Sequence, residues 1–316
     1  MKKYIIIIIY YIMKDSDFII LLILIVLTIL IILDSNKYNY KSKIENYLDI
    51  KDEIKYLIDN KYPNNIRKLN PNFNKINFIS GIAWINLDRS RDRKEYMEKL
   101  LKQINIPNYR ISALDGKAYK DIKSIYGDVP LQKELTNSEI ACTLSHIKAI
   151  NHFKDIPGDY FIVCEDDISF ENIVLFDKDL ETIIKECPKF DILMINKTFL
   201  KPLKELYSKW IDYYMDEPLD HIGSSVCYII SRSGINKFIK NAKYIDDNKF
   251  ILNKDLKLSV SDIYIYKNLE TYVYKYNFIS TLIEESTIHN SHLDYHKEND
   301  FIQLGIILKD LYNYNL

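Results

Sequence analysis

Three consecutive carboxylates, Glu165, Asp166 and Asp167, are the residues of this sequence best placed to do chemistry. They follow five apolar residues, 160–164, which are typical of a buried strand in a parallel sheet because they show no polar alternation. Ligands of open α/β sheets bind beyond the carboxyl ends of the strands. A bound divalent cation would relieve both the mutual repulsion of these anions and the cost of burying them. The triplet therefore predicts a cation site, with a solvated acidic turn as the alternative.

Two further groups have side chains suited to binding or catalysis. Arg89, Arg91 and Arg93 cluster at the start of a predicted helix, where backbone N–H groups already favour an anion such as a diphosphate. A solvated basic helix start is the alternative. His146 lies beside the apolar stripe of a second predicted helix, about 20 residues before the triplet, and we expect it near the same crevice. A histidine that makes only structural hydrogen bonds is the alternative there.

The segments that carry these residues predict an α/β fold. Strands are predicted over residues 82–87 and 109–113, separated by a helix with apolar residues at i, i+3, i+4 and i+7. Strand, helix and strand within about 30 residues form a βαβ unit, the building block of nucleotide-binding sheets. Thr136 and Glu139 have the spacing of a capping box, which predicts the start of the helix that carries His146.

Length and composition exclude several classes of protein. The chain has 316 residues, of which 47% are hydrophobic, so it can bury a substantial core. Its formal net charge is −1 and no basic stripe is interleaved with aromatic residues, so we expect no nucleic-acid partner. No GxGxxG follows a predicted strand and no GxxxxGK[ST] occurs, which argues against dinucleotide oxidoreductases and P-loop proteins.

The first 75 residues predict a membrane anchor followed by a stem. Residues 18–33 are apolar except for Thr28, and these 16 residues would reach about 24 Å as a helix, close to the roughly 30 Å hydrocarbon core. We expect an N-terminal transmembrane helix within residues 1–34 rather than a cleaved signal peptide, because no small-residue cleavage pattern follows. Residues 35–75 are predicted as a stem, or as an accessory helix packed on the domain. Residues 76–316 would form the folded domain of a single-pass membrane protein, on its lumenal or external side.

The cysteines and the C-terminal histidines give weaker signals. The four cysteines form no CxxC pair, so we expect buried free thiols, although an oxidising lumen would permit a bridge. The same lumen would make Asn196, in Asn196-Lys197-Thr198, a glycosylation acceptor. His289, His292 and His296 have a spacing that suits a metal, but their stretch is rich in asparagine and charge and also fits a surface.

Four short segments follow one another in a recognisable order. They are Ile85-Asn86-Leu87-Asp88-Arg89 with Arg93, Ala113-Leu114-Asp115-Gly116, Glu139-Ile140-Ala141-Cys142 with Ser145-His146, and Glu165-Asp166-Asp167. In order and spacing they resemble glycosyltransferase family 25, which includes lipopolysaccharide sugar transferases and collagen galactosyltransferases. The resemblance continues through residues 228–234 to Asp262 and spans about residues 82–286. Ala141 stands where the family usually has glycine. Residues 240–259 diverge from the family, so the resemblance does not imply an acceptor specificity.

The resemblance implies a fold, a donor and a metal. The fold would be of GT-A type, a Rossmann-like sheet that binds a nucleotide sugar, with the acidic triplet as its metal motif. The donor would be a UDP-sugar, and the cofactor Mn²⁺ or another divalent cation, because hard carboxylate oxygens suit such ions. The metal ligands predicted in this way are Glu165, Asp167 and, from a C-terminal loop, His289, with Asp166 as the alternative to Glu165, since two of the three acids suffice. The predicted donor contacts are Asn86, Arg89, Arg93, Asp115 and Asp166.

The same resemblance implies an inverting reaction, in which a base takes the proton of the attacking acceptor hydroxyl. Asp262 is the first candidate for this base, with the N-cap of a helix starting at Ile263 as its structural alternative. Glu285 and His146 are the further candidates, and the pair Asp220-His221 and Glu284 also offer suitable side chains. The predicted reaction moves galactose or glucose to a glycan or a hydroxylated protein. Two other functions stay open at this point, a catalytically silent, membrane-tethered module that binds glycans or proteins, and a carboxylate-metal phosphohydrolase.

Overall fold

The computed structural model describes residues 72–199, 210–212, 222–266, 269–282, 299, 303–307 and 310–311. All of them belong to one compact unit that spans residues 63–315. None of the helices formed by these residues has the length and apolar character needed to cross a membrane. The predicted anchor, residues 1–34, and most of the predicted stem lie outside the described residues. At the end of the predicted stem, Phe73 packs edge-on against Phe170 of the domain, with ring centroids 5.9 Å apart.

The unit consists of short strands and helices that alternate along the chain. The strands are β1 (Gly81–Asn86), β2 (Asn108–Ser112), β3 (Tyr160–Glu165), β4 (Ile168–Ser169), β5 (Ile192–Met194), β6 (Thr198–Phe199), β7 (Trp210–Asp212), β8 (Ile222–Gly223), β9 (Cys227–Ser231), β10 (Ala242–Asp246), β11 (Lys249–Leu252), β12 (Thr271–Tyr274) and β13 (Ser280–Thr281). The helices are α1 (Arg91–Leu101), α2 (Lys123–Tyr126), α3 (Asn137–His152), α4 (Leu180–Glu186), α5 (Arg232–Asn241) and α6 (Ser261–Tyr264).

Seven of these strands form a central sheet in the order β2-β1-β3-β9-β5-β12-β7. β1 pairs in parallel with β2 and β3, and β5 in parallel with β12. β9 runs antiparallel to both β3 and β5, and β7 runs antiparallel to β12. The predicted α/β fold is therefore confirmed as a mixed sheet in which β1, β2, β3, β5 and β12 run in the same direction, consistent with a Rossmann-like fold. β1, α1 and β2 form the predicted βαβ unit.

Helix α3 covers one face of this sheet and sets the position of His146. The predicted capping box is present, since Thr136 Oγ1 accepts a hydrogen bond from Glu139 N (3.2 Å) and Glu139 Oε2 accepts one from Thr136 N (2.8 Å). The inner stripe of α3, which includes Leu144 and Ile147, is buried in the same core as residues of β1, β3 and β9. His146 lies on this inward side, and the residue is fully buried.

Two predictions made from the sequence concern glycosylation and the state of the cysteines. The glycosylation acceptor predicted at Asn196 is wrong for the folded chain, because Asn196 is buried and its Nδ2 donates to Ile279 O (2.9 Å). The four cysteines are free, as expected. Cys164 and Cys227 are buried opposite each other on β3 and β9, whereas the other two are half-buried.

Candidate active site

The acidic triplet lies at the carboxyl edge of the central sheet. Glu165 ends β3, and Asp166 and Asp167 form the turn that follows. Because β9 runs in the opposite direction, the residues before it, Ser224 and Ser225, reach the same edge. A cavity of about 100 Å³ opens here, and its lining includes Arg89, Arg93, Asp115, Cys142, His146 and all three residues of the triplet. Most of the residues singled out in the sequence therefore share one pocket.

Arg93 and Asn86 hold the two aspartates of the turn. Arg93 Nη1 donates to Asp166 Oδ1 (2.9 Å) and to Asp167 Oδ2 (3.2 Å). Asn86, at the end of β1, donates from Nδ2 to Asp166 Oδ2 (2.6 Å) and accepts from Arg110 Nε through Oδ1 (2.8 Å). The guanidinium of Arg93 therefore relieves part of the repulsion that the sequence predicts within the triplet.

Of the three acids, Asp167 has the environment that least favours an ionised carboxylate. Burial and the neighbouring charge of Glu165 raise the pKa of Asp167 to about 7, even though Arg93 opposes this shift. In the part of the chain that the structure describes, Asp167 Oδ1 is buried and has no hydrogen-bond partner. Burial also raises the pKa of Asp166. A divalent cation would supply both positive charge and a partner for Oδ1, so these residues fit the metal that the sequence predicts.

Glu165 is kept ionised by a different set of neighbours. Its Oε1 accepts a hydrogen bond from Ser225 Oγ (3.2 Å) and lies 3.5 Å from His146 Nε2, close enough for an ion pair but without hydrogen-bond geometry. Burial opposes ionisation of Glu165, but His146, Ser225 and Arg93 outweigh it and hold the pKa of Glu165 below its usual value. The other ring nitrogen of His146, Nδ1, lies 3.2 Å from the hydroxyl of Tyr228. The structure thus places His146 behind Glu165 as a buried partner.

A chain of hydroxyl groups connects Glu165 to Asp262. Ser225 Oγ, which donates to Glu165, lies 2.8 Å from Ser261 Oγ. Ser261 Oγ in turn lies 3.2 Å from Asp262 Oδ1, to which it can donate. Asp262 is therefore linked to the acidic triplet through two serines, although it lies about 100 residues further along the chain.

The backbone at Ser224 is strained and is held by its neighbours. Its φ angle is 118°, in the region that normally requires glycine. The N–H of Ser224 donates to Asp262 Oδ2 (3.1 Å), its Oγ donates to Asn196 Oδ1 (2.8 Å), and its carbonyl accepts from the hydroxyl of Tyr266 (2.6 Å). Asp262 therefore orients this loop. It is not the N-cap of α6, a position that Val260 occupies.

Arg89 and Asp115 pair at the mouth of the pocket. Arg89 Nε donates to Asp115 Oδ2 (2.7 Å), and the Arg89 side chain is 44% exposed. Burial raises the pKa of Asp115, but this ion pair and the backbone N–H of Lys117 bring it below its usual value. The next residue, Gly116, packs so closely on the start of α3 that a Cβ there would lie 2.5 Å from Asn137 O. Arg91, the third arginine of the predicted cluster, is exposed on α1.

Two predicted site residues, Glu285 and His289, lie outside the described residues, and so do Asp220, His221 and Glu284. The described chain before Glu285 reaches the site, because β13 pairs with β4 directly after the triplet. Leu282 N also donates to Asp167 O (2.5 Å). The last described residue before Glu285 and His289, Leu282, therefore lies beside the acidic turn.

Sequence reasoning missed Cys142, Ser225 and Ser261 as parts of this site. Cys142 contributes a sulfur that lies within 4.8 Å of the ligand atoms of both His146 and Glu165. A signal was available for Cys142, because it precedes His146 by four residues on α3 and so shares its face. The two serines carry no local signal, since only the fold brings β9 and α6 next to β3.

Comparisons with known proteins agree with this geometry. Residues 79–258 match the model of glycosyltransferase family 25 (LPS biosynthesis protein). The chain is similar to procollagen galactosyltransferase 1 of Danio rerio, at 35% identity over 114 residues, covering 33% of this chain and 18% of the relative. It is also similar to a glycosyltransferase 25 family member of Anopheles gambiae, at 27% over 177 residues (51% and 29%), and to procollagen galactosyltransferase 2 of Homo sapiens, at 33% over 100 residues (29% and 16%).

The matches to the individual relatives are partial, whereas the match to the family is extensive. The chain spans less than a third of the length of each of these relatives. The family match, in contrast, covers more than half of the chain and includes every residue named above as lining the pocket. From this match, which covers more than half of the chain and includes the acidic turn at the carboxyl edge of the sheet, we conclude that the chain belongs to glycosyltransferase family 25.

Proposed function

We propose that this enzyme transfers a hexose, galactose or glucose, from a UDP-sugar to a hydroxyl group of a glycan or a hydroxylated protein, with inversion, on a GT-A type fold. The observation that carries the proposal is Asp167, a half-buried carboxylate with a pKa of about 7 beside an ionised second acid; its Oδ1 is buried and has no hydrogen-bond partner among the described residues. Galactose and a protein acceptor are supported by the similarity to two procollagen galactosyltransferases.

Glu165 and Asp167 would hold Mn²⁺ or another divalent cation, with His289 as a proposed third ligand. When bound, such a cation neutralises the charge that develops on the departing diphosphate. Arg93 would keep Asp166 and Asp167 in position through its two short contacts. The carboxylates of Glu165 and Asp167 can converge on one cation only if the turn between them is fixed. Contacts that hold this turn in advance therefore lower the free-energy cost of binding the cation.

The donor would lie across the mouth of the pocket. Arg89 is half-exposed there and, among the described residues, pairs with Asp115 through an exchangeable ion pair, so phosphate oxygens can compete for its guanidinium. Asn86 is less available for direct contact with the donor, because Asp166 and Arg110 already occupy both ends of its amide. We therefore assign Asn86 the role of fixing Asp166, which is itself the proposed donor contact.

Asp262 is our proposed base for the acceptor hydroxyl. It is partly exposed, and its two oxygens accept hydrogen bonds from Ser261 and from the backbone of Ser224, which keep the carboxylate oriented while leaving lone pairs free. Glu285 is the second proposal for this role. His146 is fully buried against Glu165, so we assign it the positioning of that carboxylate.

The test is UDP binding and sugar transfer by the full-length chain with Mn²⁺ or with a chelator. We expect UDP to bind at least tenfold more tightly with Mn²⁺, and Asp167→Asn to abolish transfer while the protein still unfolds cooperatively. Asp177→Asn, a change at an exposed aspartate, is the matched control and should leave transfer intact. UDP affinity that ignores Mn²⁺, or transfer that survives in Asp167→Asn, would refute the metal assignment.

We also propose that residues 1–34 anchor the chain in a membrane. Support comes from the apolar run over residues 18–33 alone. Alkaline carbonate extraction of membranes from cells that make the full chain tests the proposal. The protein should stay in the pellet, and its release into the supernatant would contradict an anchor.

A further inference from the structure

Cys142, His146 and Glu165 form a second set of potential metal ligands inside the pocket. One ligand atom from each residue, a sulfur, an imidazole nitrogen and a carboxylate oxygen, lies within 4.8 Å of the other two. We propose that these three residues bind a thiophilic divalent cation of the Zn²⁺ type, at a site that shares only Glu165 with the proposed Mn²⁺ site.

The geometry of the three ligands is close to what tetrahedral zinc requires. With Zn–S near 2.3 Å and Zn–N or Zn–O near 2.1 Å, the ligand atoms should be about 3.4 to 3.6 Å apart. His146 Nε2 and Glu165 Oε1 are already 3.5 Å apart. Cys142 lies one helical turn before His146, so only a side-chain adjustment on the order of 1 Å is needed to complete the set.

The environment of His146 points independently to a bound cation. His146 is fully buried, and within the described part of the chain its Nε2 has no hydrogen-bond partner. Its other nitrogen, Nδ1, faces the hydroxyl of Tyr228 at 3.2 Å, the kind of outer contact that orients a metal-ligating imidazole. An imidazole lone pair and a carboxylate that face each other at 3.5 Å repel unless a cation or a proton lies between them.

The chemistry of the set selects one class of metal. Thiolate and imidazole favour zinc-like ions over Mn²⁺, which prefers oxygen ligands. On binding, the Cys142 thiol loses its proton to solvent and a sulfur–metal bond forms, so one proton is released per cation. Three protein ligands leave a fourth position open towards the pocket.

One consequence rests on the proposed function. A cation held by Cys142, His146 and Glu165 would withdraw Glu165 from the proposed Mn²⁺ site, so micromolar Zn²⁺ should inhibit Mn²⁺-supported transfer. Replacing Cys142 by serine would weaken that inhibition.

Cobalt absorption tests the site without nucleotide or acceptor. Full-length protein is titrated with Co²⁺, and the near-ultraviolet absorption of a thiolate–cobalt bond is followed. We expect this band in the wild-type protein and in Cys187→Ser, a change at the other half-buried cysteine, but not in Cys142→Ser. A wild-type protein without the band, or a band that persists in Cys142→Ser, would overturn the proposal.

A second measurement needs no variant and so does not depend on the folding of Cys142→Ser. Zn²⁺ should slow the alkylation of Cys142 at least tenfold while leaving that of Cys187 unchanged, as followed by peptide mass spectrometry. Equal alkylation of Cys142 with and without Zn²⁺ would refute the site. If instead the cobalt band is present but UDP binding ignores Mn²⁺, the proposed function fails and this site stands.

Discussion

Replacing Asp167 by asparagine should remove most of the pH dependence of stability that the metal-free protein shows between pH 5 and pH 7. Burial and Glu165 raise the pKa of Asp167 from 3.8 to about 7 in the folded chain. A carboxyl group with a raised pKa binds more protons in the folded than in the unfolded state between these two values. Its contribution to the free energy of unfolding therefore falls as the pH rises from about 4 to 7 and is constant above that.

The magnitude follows from these two pKa values. Integrating the difference in bound protons from pH 5 to pH 7 gives a loss of about 2 kcal/mol in the free energy of unfolding. This is a large part of the roughly 5 to 15 kcal/mol that stabilises a typical domain. Asparagine has the same shape but does not ionise, so the variant should lack this loss.

Urea unfolding of the full-length protein at pH 5, 6 and 7, in the presence of a chelator, measures the effect. Asp177→Asn, at an exposed position, is the control and should show the wild-type slope. Adding Mn²⁺ at pH 7 should restore stability to the wild-type protein but not to Asp167→Asn, because the cation binds the ionised carboxylate. If Asp167→Asn and wild type lose stability equally from pH 5 to pH 7, the burial assigned to Asp167 is wrong.

Two further substitutions test contacts around the pocket. Arg93→Met removes both ion pairs to the acidic turn, and in chelator it should cost about 3 kcal/mol at pH 8 but less at pH 6, where Asp167 can take up a proton. Equal costs in urea unfolding at the two pH values would contradict the coupling of Arg93 to Asp167. Gly116→Ala places a methyl group 2.5 Å from Asn137 O and should cost about 1 to 3 kcal/mol, seen as a lower Tm. An unchanged Tm would mean that this turn can move away from α3.

The parts of the fold that the sequence predicts are those with local patterns. The capping box at Thr136 and Glu139, the βαβ unit and the buried strand before the triplet depend on residues close together in the chain, and all are present. The reversed direction of β9 was not predictable, because a strand buried on both faces has the same apolar pattern in either direction. Yet this reversal is what carries Ser224 and Ser225 to the pocket.

The acidic residues of the candidate site were predictable from the sequence, but the side chains that contact them were not. The triplet is a local signal, whereas Arg93 meets Asp166 across 73 residues of chain. The sequence suggested a diphosphate for this arginine, and nothing local predicted that the fold also brings it to the carboxylates. The backbone conformation of Ser224 could not be predicted, because serine has no preference for a positive φ angle and the hydrogen bonds that hold it include contacts with the distant residues Asp262, Asn196 and Tyr266.

The strands that follow the family match have a practical consequence for choosing protein fragments. The match ends at residue 258, but β12 lies inside the central sheet between β5 and β7, and β13 braces the turn that carries Asp167. A polypeptide cut at residue 258 would lack β12 and β13. It would expose the backbone edge of β5 and lose the strand pairing beside the acidic turn, so we expect it to aggregate rather than bind a sugar donor. A fragment that keeps the acidic turn intact must therefore extend past Leu282.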